Sequence, residues 1–377
     1  MAGYVFAIGK TPDPIDTIRT FAERGIYSTY INSLYPLSFE GTLTDYLSMR
    51  PGDNIYFFCK RKFYGIGELV SVGPDCKYCN FPSASKREDV AYDDIKDDLL
   101  LDEGPKSPKY RWLCTFRGAP HFFESGVDMD EVLTYKPQTF KMLRAFWKVS
   151  FIKLGDEENR SLREIFLLRH QKELATHAQI LPESTAAHDA LLAKPLTEHI
   201  ITPQDILFNC HDGERVKHEM ALEANVVYDL CHARIPTLGQ WDYVSHQVIA
   251  SPFKPVDYMD KIDVFAVRYL PGTSIPCKYL VVELKKDIAD VDTIDQVLKY
   301  VDWVCKEYAY GNYDAIQACV ITAGTPEIVQ QHYLEVAQRN YALGSHPVRN
   351  EQWNALKLLR YAYQDGTINY YDETPET

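Results

Sequence analysis

The sequence predicts a mixed α/β protein of two domains, an α+β domain built on a small mixed β-barrel with helices, followed by an α/β domain. The chain has 377 residues, which is enough for two hydrophobic cores. Its first half alternates short apolar strands with turns, whereas its second half contains a hairpin followed by a long amphipathic helix. We place the first domain at residues 1–175, a linker at 176–200, the second domain at 201–340, and a C-terminal helix with an acidic tail at 341–377.

The predicted elements of the first domain are strands separated by turns, with a few helices. The Pro-Gly-Asp turn at 51–53 opens one strand of a hairpin. The strands are predicted at 4–8, 54–60, 63–72, 110–116 and 150–154, and the helices at 14–24 and 157–174. This arrangement favours a small mixed barrel. The polar segment 80–109 is predicted to be a mobile loop.

The second domain contains two apolar runs, residues 261–270 and 278–286, on either side of a Pro-Gly-Thr-Ser turn. They predict an antiparallel hairpin. The position of the turn places Asp263 opposite Glu283, with Cβ atoms roughly 4.5 to 5.5 Å apart. Lys285 follows Glu283 by two residues and therefore lies on the same face. Two carboxylates and an ammonium are thus expected at one place.

The helix that follows the hairpin is predicted at residues 291–308, where apolar side chains recur at helical spacing. Gln296 and Tyr300 are four residues apart and are neighbours on one face. Such a pair also occurs at surfaces and at the edges of cores. Its position directly after the hairpin is what gives it functional interest.

The three charged side chains of the hairpin suit the hydrolysis of a phosphodiester. Mg²⁺ prefers oxygen ligands, typically one or two carboxylates with waters and phosphate oxygens. The metal acidifies a bound water and neutralises phosphate charge, while Lys285 can position the attacking hydroxide or stabilise the transition state. Charged residues at the end of a strand also occur simply as a solvated rim.

The order Asp263, Glu283-x-Lys285 and Gln296-x-x-x-Tyr300 resembles the motif series of the PD-(D/E)XK nucleases. The series resembles in particular the RecB-like branch, with its Q-x-x-x-Y signature, and its order and spacing also resemble the catalytic domain of the NucS mismatch endonucleases. The likeness covers roughly residues 201–340 and implies a PD-(D/E)XK α/β nuclease core.

This resemblance implies a role for each matched residue. Asp263, Glu283 and the main-chain carbonyl of Leu284 are expected to bind Mg²⁺ or Mn²⁺. Lys285 is expected to be catalytic. Gln296 and Tyr300 are expected to support the site or to contact the strand that is cut. Because no Pro-Asp dipeptide precedes the hairpin, Asp257 and Asp260 are alternatives for the role of Asp263.

Members of this superfamily often add a glutamate from the first helix of the nuclease core. Residues 214–231 predict that helix, and Glu223 falls within its apolar face. An unpaired buried carboxylate is costly, so Glu223 is expected either to pair with a cation or to bind the metal. Glu219, at the edge of the face, is the alternative. Glu214 suits the first turn of a helix.

The first domain resembles the PUA-like group, which includes EVE, ASCH and YTH domains. The likeness lies in P-G-D-x-I-Y-F-F, in its partner G-I-G-E-L-V, and in S-F-I-K-L followed by a helix. It implies a concave pocket that takes up a base, often a modified one. Aromatic residues in a small barrel also pack as core, so both roles are open for the candidates Tyr30, Phe58, Tyr64, Trp112 and Phe116.

The net charge of −13 argues against nonspecific gripping of DNA, because such proteins normally present a basic surface. Residues 201–377 carry 15 basic and 25 acidic side chains, so the predicted catalytic half is the acidic half. Affinity for DNA is then expected to come from local basic patches. Three such patches are Lys60-Arg61-Lys62, Lys86-Arg87 and Lys285-Lys286.

Composition indicates a cytoplasmic protein. No run of 18 apolar residues or secretory signal is found, and nine irregularly spaced cysteines suit reduced thiols. Cys76 and Cys79 form a single C-x-x-C, which is half of a zinc site at most.

Taken together, these patterns predict a Mg²⁺-dependent DNA endonuclease whose N-terminal domain chooses the target, in modification-dependent restriction or phage defence. One metal site cuts one strand, so a double-strand cut predicts a homodimer. A mismatch- or structure-specific repair nuclease is one alternative. A non-cutting module that binds DNA or RNA is another.

Overall fold

The computed structural model describes residues 1–9, 12–31, 35–145, 151–251, 260–344 and 346–376. They form a mixed α/β protein of two compact units, Met1–Thr202 and Pro203–Thr377. Among these residues, no helix is both long enough and apolar enough to cross a membrane.

The first unit is built on an eight-stranded mixed sheet that forms a half-barrel. Its strands are β1 (Gly3–Ala7), β2 (Ile26–Ser28), β3 (Asn54–Cys59), β4 (Lys62–Leu69), β5 (Lys77–Cys79), β6 (Trp112–Gly118), β7 (Val127–Asp128) and β8 (Phe151–Leu154). The order is β2-β6-β4-β3-β1-β8, with β5 on β6 and β7 on β4. Strand β1 pairs parallel with β3 and antiparallel with β8, so the N-terminal strand lies inside the sheet.

The helices of the first unit are α1 (Pro14–Arg24), α2 (Pro36–Leu47), α3 (Tyr92–Ile95), α4 (Met129–Tyr135), α5 (Met142–Ala145), α6 (Asp156–Arg169), α7 (Gln171–Thr176) and α8 (Ala186–Leu192). Helix α1 begins after Asp13, whose carboxylate accepts the backbone N–H groups of Ile15 and Asp16, and it ends at Gly25 with φ +66°. These are the expected start and stop signals of a helix. Helix α6 begins after Gly155 with Asp156 as its first residue, one residue before the predicted start.

Residues 176–200, predicted to be a linker, belong to the first unit. Leu191 and Leu196 are buried in one cluster with Ile26 and Tyr78, and the imidazole of His188 lies 2.9 Å from the carbonyl oxygen of Gly25. The apolar residues of this segment therefore complete a core instead of separating two cores.

The polar segment 80–109, predicted to be mobile, is also folded onto the first unit. Asn80, Phe81, Ala84 and Leu99 are buried. The buried guanidinium of Arg111 donates hydrogen bonds to the carbonyl oxygens of Ala84 (3.1 Å) and Lys86 (2.7 Å). A cation inside the unit thus organises a chain segment whose composition is polar.

The second unit contains a six-stranded mixed sheet in the order β11-β12-β13-β14-β17-β18. The strands of this unit are β9 (His211–Asp212), β10 (Arg215–Val216), β11 (Tyr243–Ile249), β12 (Lys261–Tyr269), β13 (Pro276–Lys285), β14 (Ile316–Thr322), β15 (Arg339–Leu343), β16 (Arg349–Trp353), β17 (Leu356–Gln364) and β18 (Thr367–Asp372). Its helices are α9 (Gln204–Asn209), α10 (Glu219–Cys231), α11 (Val291–Glu307) and α12 (Glu327–Val336). Strands β13, β14 and β17 are parallel, and the outer pairs are antiparallel.

Helices α10 and α11 use different faces of β13. Leu280, Val282 and Leu284 share a buried cluster with residues of α10. Tyr279, on the other face, donates its hydroxyl proton to the carbonyl oxygen of Tyr308, directly after α11. Since strand residues alternate between faces, Glu283 and Lys285 lie on the face that carries α11.

The C-terminal helix predicted within residues 341–377 is wrong, because this region forms β16, β17 and β18. The spacing of Trp353, Leu356, Leu359 and Tyr363 fits a helix, but β17 lies inside the sheet between β14 and β18. A strand buried on both faces has apolar residues in nearly every position, so its pattern also matches a helical one.

The predicted start of α10 at Glu214 is also wrong. Gly213 and Glu214 form the two-residue turn of the β9–β10 hairpin, in which Asp212 pairs with Arg215. Gly213 has φ +59°, and glycine is favoured at the first position of such a turn. Glu214 therefore lies in this hairpin, and α10 begins at Glu219.

Candidate metal and catalytic site

The β12–β13 hairpin brings Asp263 and Glu283 together at the end of the ladder. Val264 pairs with Val282, so Asp263 and Glu283 are the next residues in the predicted register. Here the carboxylate of Asp263 accepts the backbone N–H of Leu284 (Oδ2 to N, 2.8 Å). The Asp263 side chain thus continues the pairing of the two strands beyond the last backbone pair and keeps Asp263 next to the strand that carries Glu283.

Glu283 and Lys285 form an ion pair on one face of β13, as the strand period predicts. The Lys285 Nζ lies 3.0 Å from Glu283 Oε1, and the Glu283 side chain is 1% exposed. The second oxygen, Oε2, is buried and has no hydrogen-bond partner among the residues that the structure describes. A buried carboxylate oxygen without a donor is costly, and a cation is the natural partner for it.

Glu223 extends the acidic cluster from α10. Its side chain is 3% exposed, and both of its oxygens have nitrogen partners on β11. The Nδ1 of His246 lies 2.7 Å from Oε1, and the Nε2 of Gln247 donates to Oε2 at 2.6 Å. The Gln247 Nε2 is also 3.4 Å from Asp263 Oδ1, so Glu223 and Asp263 lie on either side of one amide group.

Helix α11 contributes Gln296 and Tyr300 as predicted neighbours, with the Gln296 Nε2 donating to the Tyr300 hydroxyl at 2.9 Å. Tyr300 is buried. Burial chiefly raises its pKa, and the negative charges of Glu283 and Asp263 raise it further. The phenol is therefore close enough to the acidic cluster to feel its charge, and it stays protonated at neutral pH.

The electrostatics of the cluster favour a bound cation. Burial raises the pKa of Glu283 to about 7 despite the opposing effect of Lys285. Burial, and then the charges of Glu283 and Glu223, raise the pKa of Asp263 well above its usual range. The raised pKa values mean that the two carboxyl groups resist ionising side by side, and a cation bound between them would favour their ionised forms.

Lys285 itself responds to these acids. Burial alone lowers the pKa of an ammonium, but the charges of Glu283, Glu219 and Asp263 outweigh it and raise the Lys285 pKa. Lys285 is therefore a fully charged ammonium at neutral pH.

The alternative acids lie outside the β12–β13 hairpin where the structure describes them. Glu219 is exposed on the first turn of α10 and accepts the backbone N–H of Lys286 at 3.3 Å. Asp260 precedes β12, where its backbone N–H donates to the Ser251 hydroxyl at 3.3 Å. Asp257 lies outside the described residues. Among the described acids, Asp263 is the one that faces Glu283 in the hairpin.

His246 and Gln247 were not among the predicted site residues. Together with Ser245 they interrupt the apolar run of Tyr243–Ile249. Polar residues inside a strand beside a predicted acidic site are the signal that could have identified them as partners of its carboxylates.

Most of the aromatic candidates for a base pocket lie in the core of the first unit. Trp112 packs on Phe39, with ring centroids 4.7 Å apart, and Phe116 and Tyr64 are also buried. Phe58 is half-buried, and Tyr30 is 59% exposed with the Lys109 ammonium over its ring.

The two cysteines of the C-x-x-C motif are both buried. Burial raises the pKa of the Cys76 thiol to about 12, which opposes the thiolate form that zinc requires.

In comparisons with known proteins, no family model matches the chain, and no curated protein matches it.

Proposed function

We propose that the second unit carries a Mg²⁺-dependent nuclease site that hydrolyses phosphodiester bonds of DNA. The observation that carries this proposal is the buried Glu283 Oε2, which lacks a hydrogen-bond partner among the described residues and lies beside Asp263 and Lys285. The resemblance of Asp263, Glu283-x-Lys285 and Gln296-x-x-x-Tyr300 to PD-(D/E)XK nucleases supports the same chemistry.

The donor atoms of the cluster are of the type that a hard divalent cation prefers. Asp263, Glu283, Glu223 and the carbonyl oxygen of Leu284 offer oxygen atoms only, which Mg²⁺ and Mn²⁺ prefer. When bound, the metal acidifies a water molecule and neutralises charge on the phosphate. Glu219 is an exposed acid beside the cluster and is a second choice as ligand.

Lys285 supplies the fixed positive charge of the site. Its ammonium is held 3.0 Å from Glu283 Oε1 and is half-buried, so it can donate to a phosphate oxygen or orient the attacking water. Tyr300 and Gln296 form a hydrogen-bonded pair at the edge of the cluster. We assign them to the support of the site or to contact with the strand that is cut.

In this proposal the first unit chooses the target, for example a modified base, which suits restriction of foreign DNA in the cytoplasm. Tyr30 is the candidate with exposed ring surface for stacking, which contributes about 1 to 3 kcal/mol per base. One site cuts one strand, so double-strand cutting requires a homodimer, and light scattering on the purified protein measures this directly.

The test is cleavage of plasmid and phage DNA with Mg²⁺ or Mn²⁺. Glu283→Gln and Lys285→Ala are expected to lower the cutting rate at least about a hundredfold without unfolding the chain. Lys278→Ala is the matched control, because this lysine lies near the other end of β13, where its ammonium pairs with Asp314 at 3.2 Å. Cutting by Lys285→Ala at the wild-type rate would contradict the assigned role.

Substrates separate the alternatives. Plain, methylated, hydroxymethylated, glucosylated and mismatched DNA, together with RNA, are tested in parallel. Preference for a modified duplex supports target choice by the first unit, and preference for mismatches indicates a repair nuclease. Wild-type protein that binds nucleic acid but cuts none of these substrates is a binding module, and the nuclease proposal then fails.

A further inference from the structure

His246 and Gln247 are neighbours in β11, yet both contact Glu223. Consecutive residues of a strand normally point to opposite faces, so only one of them is expected to reach a given side chain. The backbone explains the exception, because Gln247 has φ +51°. The flanking pairs His246 to Val264 and Val248 to Ile262 keep their register across it.

A positive φ is strained for a residue with a side chain. It persists only where surrounding interactions compensate for it, and functional sites are where such residues collect. Here the compensation is visible, since the turned Gln247 amide lies 2.6 Å from Glu223 Oε2 and 3.4 Å from Asp263 Oδ1. The distorted backbone thus aims one amide between two carboxylates.

The two contacts together fix Glu223 completely. Its Oε1 is held by His246 and its Oε2 by Gln247, so neither rotation of the carboxylate nor withdrawal along α10 is possible without breaking a hydrogen bond. Each carboxylate oxygen has further lone pairs, so these contacts leave Glu223 able to bind a cation.

We propose that His246 and Gln247 are positioning residues that hold Glu223 against Asp263 for a divalent cation. This inference rests on the proposed function of the site. Replacement of a residue that holds a metal ligand in place typically weakens metal binding by about 10- to 100-fold. A purely structural role, in which the pair only neutralises a buried acid, predicts a change in stability instead.

Binding of Mn²⁺ alone, measured by calorimetry without nucleic acid, distinguishes these roles. His246→Leu removes the Nδ1 contact and is expected to weaken Mn²⁺ binding about 10- to 100-fold. His246→Asn places an amide nitrogen near the position of Nδ1 and is expected to restore affinity to near the wild-type value.

Gln247→Gly separates fold from function. Glycine accepts a positive φ without strain, which offsets part of the cost of leaving Glu223 Oε2 without its amide donor, so the variant is expected to stay folded while Mn²⁺ affinity falls. Asp365→Gly is the matched control, because Asp365 also has φ +51° but lies in the exposed β17–β18 turn. It should match Gln247→Gly in relief of strain and bind Mn²⁺ like the wild-type protein.

The outcomes are distinguishable. If the wild-type protein binds no Mn²⁺, the proposed function itself fails. If it binds Mn²⁺ and both Gln247→Gly and His246→Leu bind it equally well, the positioning role is overturned and the metal site stands. If His246→Leu does not fold, Gln247→Gly and His246→Asn still decide the question, because neither introduces an apolar side chain beside Glu223.

Discussion

At the scale of single residues, Glu158 links stability of the first unit to pH. Its buried carboxylate on α6 accepts the backbone N–H of Met142 at 2.8 Å, and burial raises its pKa to about 7. A raised pKa means that folding favours the protonated form, so this contribution is complete below about pH 4.5 and is lost as pH rises through 7. The loss is on the order of 3 kcal/mol.

Glu158→Gln keeps the acceptor oxygen and cannot ionise. It is expected to match the wild-type protein in stability near pH 5 and to exceed it at pH 8, as measured by thermal unfolding across that range. Glu157→Gln, at the adjacent exposed position, should follow the wild-type curve. A constant difference between Glu158→Gln and wild type at all pH values would disprove the linkage.

Local geometry explains which site residues the sequence revealed. One turn and the period of a strand are enough to predict Asp263, Glu283 and Lys285, and both features can be recognised within about 25 residues of sequence. The same features cannot predict His246 and Gln247, because the contact of these two residues with Glu223 depends on a positive φ and on the packing of α10 beside β11. Neither is encoded in a short pattern.

At the scale of elements, the start of α11 is set by a capping box. The carboxylate of Asp290 accepts a hydrogen bond from the backbone N–H of Thr293 at 2.9 Å. In return, the Thr293 hydroxyl accepts one from the backbone N–H of Asp290. The Thr293 hydrogen bonds lower the pKa of Asp290, as expected for a carboxylate that caps a helix.

Asp290→Ala is therefore expected to destabilise the protein by about 1 kcal/mol, measured by urea unfolding of the second unit. Asp292→Ala removes an acid from the same first turn without removing the cap and should cost clearly less. Equal losses for the two variants would show that charge near the helix terminus, and not the capping hydrogen bond, sets the stability of this end.

Strands were harder to predict than the helix. Helix α11 differs from its prediction by one residue at its end, because its apolar stripe has a single period. Strand β17 was mistaken for a helix, although the Asp365-Gly366 turn after it, with φ +51° and +83°, is a hairpin signal. Since β17 pairs with β14 from a distant part of the chain, tertiary pairing and not local preference decides its structure.

At the scale of the whole molecule, acids neutralise much of the positive charge available for DNA. Each predicted basic patch contains a cation with an acidic partner. Arg61 lies 2.7 Å from Asp130, Arg87 lies 3.5 Å from Glu40, and Lys285 and Lys286 pair with Glu283 and Asp287. With a net charge of −13, the chain has few cations left to release counterions from a duplex.

Because few cations are free to contact phosphates, we expect the affinity for DNA to depend only weakly on salt concentration. The logarithm of the binding constant falls with the logarithm of salt concentration in proportion to the number of phosphates contacted. We expect about three contacts or fewer, and hence a slope of about −3 or shallower, measured by fluorescence anisotropy with Lys285→Ala so that the duplex stays intact. A slope of about −6 or steeper would contradict this expectation, because so many phosphate contacts need a continuous basic surface. Such a surface would then have to form from two copies of the chain, and the slope should become shallower at protein concentrations where light scattering finds only monomers.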